Sequence, residues 1–172
     1  ALVKKDLISF ATLDLPDVLR DVISLLRSDA SLRNIRVSLE TKEGLPQVFG
    51  DKVQLQQVLL NLLLNAFEAM KDCPERDREV LVSAAIDSDR LVKVAISDHG
   101  SGLTTDKLDK IFQPFFTTKP DGLGMGLSIS RSIIEAHGGR LWAEHNVDRG
   151  ASFYFTIPIT NNQPPLIASG SL

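Results

Sequence analysis

Apolar residues recur along this chain with two periods, and the changes of period divide it into elements. Between Leu13 and Asn34, residues Val18, Leu19, Val22, Ile23, Leu25 and Leu26 share one face at three- and four-residue spacing. That predicts an amphipathic helix entered through Asp14 and Pro16. Ile35, Val37 and Leu39 then alternate with polar neighbours, as in a half-buried strand, and residues 43–50 read as a turn with a short extended piece. Asp51 opens a long helix reaching about residue 72, with Gln54 at the third helical position as in a capping box. Residues 73–79, CPERDRE, break it. Residues 80–87 and 90–98 form a hairpin around residues 87–89. A short helical piece (DKLDKIF) lies within a long irregular stretch ending at residue 124. A helix over 126–137 stops at Gly138–Gly139, and residues 140–146 and 151–159 make a last strand pair. Strands arriving in hairpins with few helices indicate an α+β fold, with helices on one face of a sheet. Residues 1–12 read as a linker or the end of a preceding helix, and the Pro-rich segment 161–172 as a disordered tail or linker.

The long helix is apolar on nearly every side, yet Gln57, Asn61, Asn65 and Glu68 line up along it. A buried unpaired amide costs about 1–3 kcal/mol, so these asparagines need partners. Either they bond neighbouring backbone or each other, or the stripe faces a ligand. Amide oxygens are hard neutral donors, suited to a Mg²⁺ ion that keeps waters and borrows phosphate oxygens.

Three other motifs bear on chemistry. DHGSG, residues 98–102, follows a strand directly: an ordinary Asp-Gly turn, or a carboxylate beside glycines that let a planar ring approach and present its exocyclic amine. DGLGMGLS, residues 121–128, places Gly122, Gly124 and Gly126 before a helix. It is a hinge, or a loop of N–H groups for phosphate. IFQPFFTTK, residues 111–119, groups Phe112, Phe115 and Phe116 ahead of Lys119, as a hydrophobic clasp or as part of a movable cover carrying a cation.

Composition adds limits. Hydrophobic residues are 43% and charged residues 24% of the 172, a balance suited to one globular core, and the net charge of −3 gives no footprint for nucleic acid. The single cysteine, Cys73, cannot close an internal disulfide and has no His or Cys at ligand spacing. No apolar run approaches the ~20 residues of a membrane span, and no signal peptide is evident.

Taken in order, the asparagine helix, Asp-x-Gly-x-Gly after a strand, the Phe-rich segment and Gly-x-Gly-x-Gly-Leu before a helix span about 75 residues. This order resembles the N, G1, F and G2 boxes of the catalytic and ATP-binding domain of bacterial sensor histidine kinases. These share a larger fold family with DNA gyrase B, Hsp90 and MutL. The resemblance covers about Leu13 to Ile159 and implies a domain over 13–160. The implied fold is a two-layer α/β sandwich of the Bergerat type: a mixed sheet of about five strands, three main helices on one face and an ATP lid.

By that resemblance the cofactors are ATP and Mg²⁺. Asn65 would bind the metal through its side-chain oxygen, and Asn61 would support metal and phosphates, the two forming the catalytic pair. Asp98 would take a hydrogen bond from the adenine amine, and Gly100 and Gly102 would leave room for the base. Residues 113–124 would form the lid, anchored by Phe115 and Phe116, with Phe116, Thr118 and Lys119 lining the nucleotide. Gly122, Gly124 and Gly126 would wrap the phosphates, with Leu123, Met125 and Leu127 as lid and core contacts. In gyrase-type relatives a Glu stands where this chain has Asn61 and activates water. An amide cannot take a proton, which suits a kinase that must hold ATP unhydrolysed. Many members carry Thr where Ala151 stands, so a base contact through that hydroxyl is missing here.

The implied activity is transfer of the γ-phosphate to a histidine on a separate dimerisation domain. None of His99, His137 and His145 has the context of that acceptor. The partners would be that domain and a response regulator receiver. The parent kinase would be a homodimer, the isolated domain a monomer, and the location cytoplasmic whether or not the parent is membrane-anchored. The rivals are a Ser/Thr-directed anti-sigma-type kinase and a non-catalytic nucleotide-binding module.

Overall fold

A computed structural model describes residues 9–88, 90–102, 105–113 and 126–160. The strands are β1 (Phe10–Leu13), β2 (Arg36–Thr41), β3 (Val48–Asp51), β4 (Glu79–Ser88), β5 (Leu91–Ser97), β6 (Leu141–His145) and β7 (Ala151–Pro158). The helices are α1 (Leu15–Leu25), α2 (Arg27–Leu32), α3 (Lys52–Ala69), α4 (Thr105–Lys110) and α5 (Gly126–Ala136), with a 3-10 turn at Glu75–Asp77. Five strands form one sheet in the order β2-β4-β5-β7-β6, and β1 and β3 pair in a separate two-stranded ribbon. Among the described residues only β2 and β4 run parallel; the other neighbours are antiparallel, so the sheet is mixed as expected.

Alternation decides which face of the sheet is covered. Val80, Val82 and Ala84 of β4, Val92, Val94 and Ile96 of β5, and Phe153, Phe155 and Ile157 of β7 are all buried. The helices supply the facing layer: Leu15, Val18, Leu19 and Val22 from α1, and Leu55, Val58, Leu59, Leu62, Leu63, Ala66 and Phe67 from α3. Each large side chain buried this way contributes about 1.5–3 kcal/mol. On the other face, Trp142 and Tyr154 stack at 5.3 Å, with Arg140 4.5 Å over Trp142 and Lys93 5.3 Å over Tyr154.

Two elements depart from the sequence reading. The single helix expected over 13–34 is two, α1 and α2, jointed at Leu26. The apolar face ends at Leu26; beyond it only Ala30 of α2 is buried, and Leu32 is exposed. Residues 10–13, assigned in part to a linker, form strand β1 against β3. FATL is too short to show a period. Its partner and the packing of Phe10 on Phe49 (5.5 Å) and His137 (4.5 Å) decide its conformation.

The ribbon is tied to the helices at Asp51. Its Oδ1 accepts from Gln54 N–H at 3.0 Å, the cap expected from sequence, and its Oδ2 accepts from Ser9 N–H at 2.6 Å. The backbone N–H of Asp51 donates to Nε2 of His137 at 3.0 Å. The other nitrogen of that ring, Nδ1, lies 2.8 Å from the carbonyl of Ile133, which can only accept. His137 is therefore a neutral imidazole with its proton on Nδ1. We predict that Asp51→Ala lowers stability by about 1–2 kcal/mol, read as a thermal-melt shift of about 2–8 °C.

Candidate functional site

Helix α3 carries the polar stripe, and its members diverge. Gln57 is exposed, while Asn61 and Asn65 are half-buried. Asn61 Nδ2 donates to the carbonyl of Gly126 (3.3 Å) and to Ser130 Oγ (3.1 Å). Because the Gly126 carbonyl can only accept, the amide orientation is fixed, and Oδ1 is the atom left for a ligand. Asn61 thus joins α3 to the first turns of α5, where the glycine-rich segment enters its helix. Glu68 pairs with Lys71 at 3.0 Å and approaches Arg33 at 3.8 Å. These cations hold it as an ion-pair partner.

Asp98 stands where β5 leaves the sheet and is 3% exposed. Its N–H donates to the carbonyl of Ala151 at 3.0 Å. Oδ1 accepts from Gly100 N–H (2.7 Å) and Ala151 N–H (3.3 Å). Among the described residues Oδ2 accepts nothing, so one carboxylate oxygen is held by backbone and the other is open to a ligand. Burial pushes this carboxyl above its ordinary range; the N–H groups of Gly100 and Ala151, and then His99, oppose that shift without cancelling it.

Gly100 has a structural reason the sequence did not supply. A Cβ there would sit 2.4 Å from the carbonyl oxygen of Ala69, at the end of α3. The missing side chain lets the strand exit, two residues after Asp98, press against the end of the helix that carries Asn61 and Asn65. Behind it, Cys73 is buried and donates Sγ–H to the carbonyl of His99 at 3.1 Å, consistent with a bystander thiol. Arg149 Nε donates to the carbonyl of Gly100 at 3.3 Å.

Gly126 and Leu127 lie in the first turn of α5, and Leu127 packs on the core. Phe112 sits edge-on to Phe153 at 6.3 Å, with the Arg131 guanidinium 5.4 Å over its ring. Phe115, Phe116, Thr118, Lys119, Gly122, Leu123, Gly124 and Met125 lie outside the described residues. The sequence reading missed Ser130, Asn146, Arg149 and Ser152. Only Asn146, in a short polar turn closed by Gly150, carried a local signal. Among the described residues no cluster of three or more His, Cys, Asp or Glu could hold a metal ion, and no helix is long and apolar enough to cross a membrane.

The site can be compared with known proteins. Residues 50–161 match the family described as histidine kinase-, DNA gyrase B- and HSP90-like ATPase. The sensor protein FixL of Bradyrhizobium diazoefficiens is 49% identical over 126 residues, 73% of this chain and 25% of FixL. The chain thus spans about a quarter of that curated relative. The solved catalytic domain of histidine kinase ThkA superposes with a TM-score of 0.79 at 36% identity, covering 89% of this chain and 97% of that one. ThkA is also known in complex with the response regulator protein TrrA, where the match has a TM-score of 0.72 at 32% identity and covers 89% of this chain and 42% of that one. Full-length ShkA in complex with AMPPNP matches with a TM-score of 0.78 at 30% identity, covering 90% of this chain and 32% of that one. With residues 50–161 matching the family model and the mixed sheet shared with the solved catalytic domain, this chain belongs to the histidine kinase-, DNA gyrase B- and HSP90-like ATPase family, as an ATP-binding catalytic domain of the sensor histidine kinase type.

Proposed function

We propose that this domain binds ATP with Mg²⁺ and positions the γ-phosphate for transfer to a histidine on a separate dimerisation domain, from which a response regulator aspartate receives it. The observation that carries the nucleotide reading is the open Oδ2 of Asp98, a buried acceptor whose twin oxygen is already held by two backbone N–H groups. An exocyclic amine of adenine matches such an acceptor, whereas the carbonyl of guanine opposes it. ShkA, which holds AMPPNP, and ThkA, which pairs with TrrA, support the nucleotide and the receiver.

The donor chemistry fits Mg²⁺. Asn61 and Asn65 offer neutral oxygens from one helix, and such a site is completed by phosphate oxygens and water. When bound, Mg²⁺ supplies neutralisation of the charge on the terminal phosphates. Asn61, locked by Gly126 and Ser130, fixes the start of α5 relative to α3, so donors from both helices keep a set spacing. No carboxylate stands at the Asn61 position to deprotonate water, which favours phosphoryl transfer over hydrolysis. His137 cannot be the acceptor: it is 5% exposed and both ring nitrogens are engaged.

Calorimetric titration with a non-hydrolysable ATP analogue tests the pocket. Binding should need Mg²⁺, exclude GTP and weaken at least about tenfold in Asn65→Ala. Absence of binding by the folded wild-type chain sinks the ATP reading. Incubation of the full-length kinase with labelled ATP then tests the acceptor: acid-labile phosphate marks histidine, and acid-stable phosphate marks a serine-directed relative.

A further inference from the structure

The turn between β6 and β7 does more than connect two strands. Asn146 Nδ2 donates to the carbonyl of Asp98 (2.9 Å) and to that of Arg149 (3.1 Å). Both partners can only accept, so the amide orientation is unambiguous. Its Oδ1 then accepts the hydroxyl proton of Ser152. Ser152 has one proton to give, and its Oγ lies 2.6 Å from Ser97 Oγ. Ser97 must therefore donate to Ser152. The bonds run in one direction: Ser97 to Ser152 to Asn146 to the carbonyl of Asp98.

This chain of bonds meets Asp98 on the side its other contacts leave open. The Asp98 N–H and Oδ1 are tied to β7 through Ala151, and Oδ1 also to Gly100. Only the carbonyl remained to be fixed, and Asn146 fixes it. The peptide following Asp98 sets the direction in which the strand exit turns, and with it the aim of Oδ2. Ser152 is buried and Ser97 half-buried, so water competes little for these bonds. Nothing in the nucleotide boxes accounts for an amide at this place.

We infer that Asn146, held by Ser152 and Ser97, is a positioning residue for base selection: it aims the Asp98 carboxylate at the exocyclic amine of the purine. This rests on the reading of Asp98 as the adenine acceptor. Asn146 touches no substrate and acts through Asp98 alone.

The test compares Mg²⁺-ATP with Mg²⁺-purine riboside triphosphate, which differs only in lacking the 6-amine, by calorimetry on the 172-residue chain. Wild type should prefer ATP by about 100-fold, the value of a hydrogen bond to a charged acceptor. Asn146→Ala should cut that preference at least about tenfold through weaker ATP binding, while the analogue binds as to wild type. A residue that merely holds the fold would weaken both ligands equally; that outcome, or an unchanged preference, overturns the inference. Ser152→Ala removes the bond that holds the amide and should lower the preference in the same direction. It carries the test if Asn146→Ala does not fold, and an unchanged preference in Ser152→Ala then counts against the inference. Asp98→Asn separates the two levels. If it keeps the wild-type preference for ATP, Asp98 does not read the amine, and the reading of Asp98 as the adenine acceptor fails together with the inference; if it loses the preference while Asn146→Ala keeps it, only the role of Asn146 fails.

Discussion

Asp98→Asn should abolish ATP recognition while leaving the domain as stable as wild type or more so. The substitution is isosteric. The amide oxygen can take the place of Oδ1 and accept from Gly100 and Ala151, which puts the NH₂ where Oδ2 stood. A donor then faces the donor of the adenine amine, and affinity should fall about 100-fold or more. Stability moves the other way because the folded state holds the Asp98 proton more tightly than the unfolded chain, burial being the main cause. For an acid raised in this way, the fold loses stability as pH climbs from the ordinary carboxylate range through the raised value, and the loss persists at neutral pH. The melting temperature of Asp98→Asn relative to wild type should therefore rise over that window and stay level above it. ATP binding by wild type should weaken as pH falls below the raised value. Thermal melts and titrations across pH check both, and a variant that melts far below wild type at neutral pH would refute the account.

Gly150→Ala should damage fold and site together. The residue has φ +87°, a left-handed conformation that costs an L side chain about 1–2 kcal/mol. A Cβ would also stand 2.2 Å from the carbonyl oxygen of Asp98 and 2.7 Å from its Oδ1. Neither neighbour can give way: the carbonyl is bonded by Asn146 and Oδ1 by two backbone N–H groups. We expect a loss of about 4 kcal/mol or more, a melt lower by about 8–16 °C, and no measurable nucleotide binding. Asp148→Ala, in the same turn, serves as the control and should leave both near wild type. Equal melts for Gly150→Ala and wild type would show that the turn can move away from Asp98.

The helices and the main sheet were legible because each buries one face, and burial writes its period into the sequence. The stripe on α3 was legible for the opposite reason: asparagine is costly on an apolar helix unless something uses it. What escaped notice has no period. Strand β1 is four residues long and is fixed by its partner β3 and by His137. The joint at Leu26 falls where the buried face of α1 ends, and the residues beyond it keep a helical spacing that hides the break. Gly100 was visible as a glycine, but the contact that requires it, with Ala69, is 31 residues away in sequence. Asn146 lies 48 residues from the carbonyl it holds. Contacts of that range follow from sheet order, which the residues of one turn do not reveal.

The β1–β3 ribbon has a consequence for hydrogen exchange. It is a separate sheet, joined to the main one by the bridge between Val48 and Ile159. Amides at the centre of β5, paired on both sides, should exchange only when the whole domain opens, while those of β1 should exchange through a smaller opening. That smaller opening is not local in its effect. Peeling β1 away strips Phe10 from His137 and Ser9 from Asp51, and Asp51 also caps α3 and bonds the ring that ends α5. The protection of the first turn of α3 and the last turn of α5 should thus rise and fall with that of a strand lying outside the main sheet.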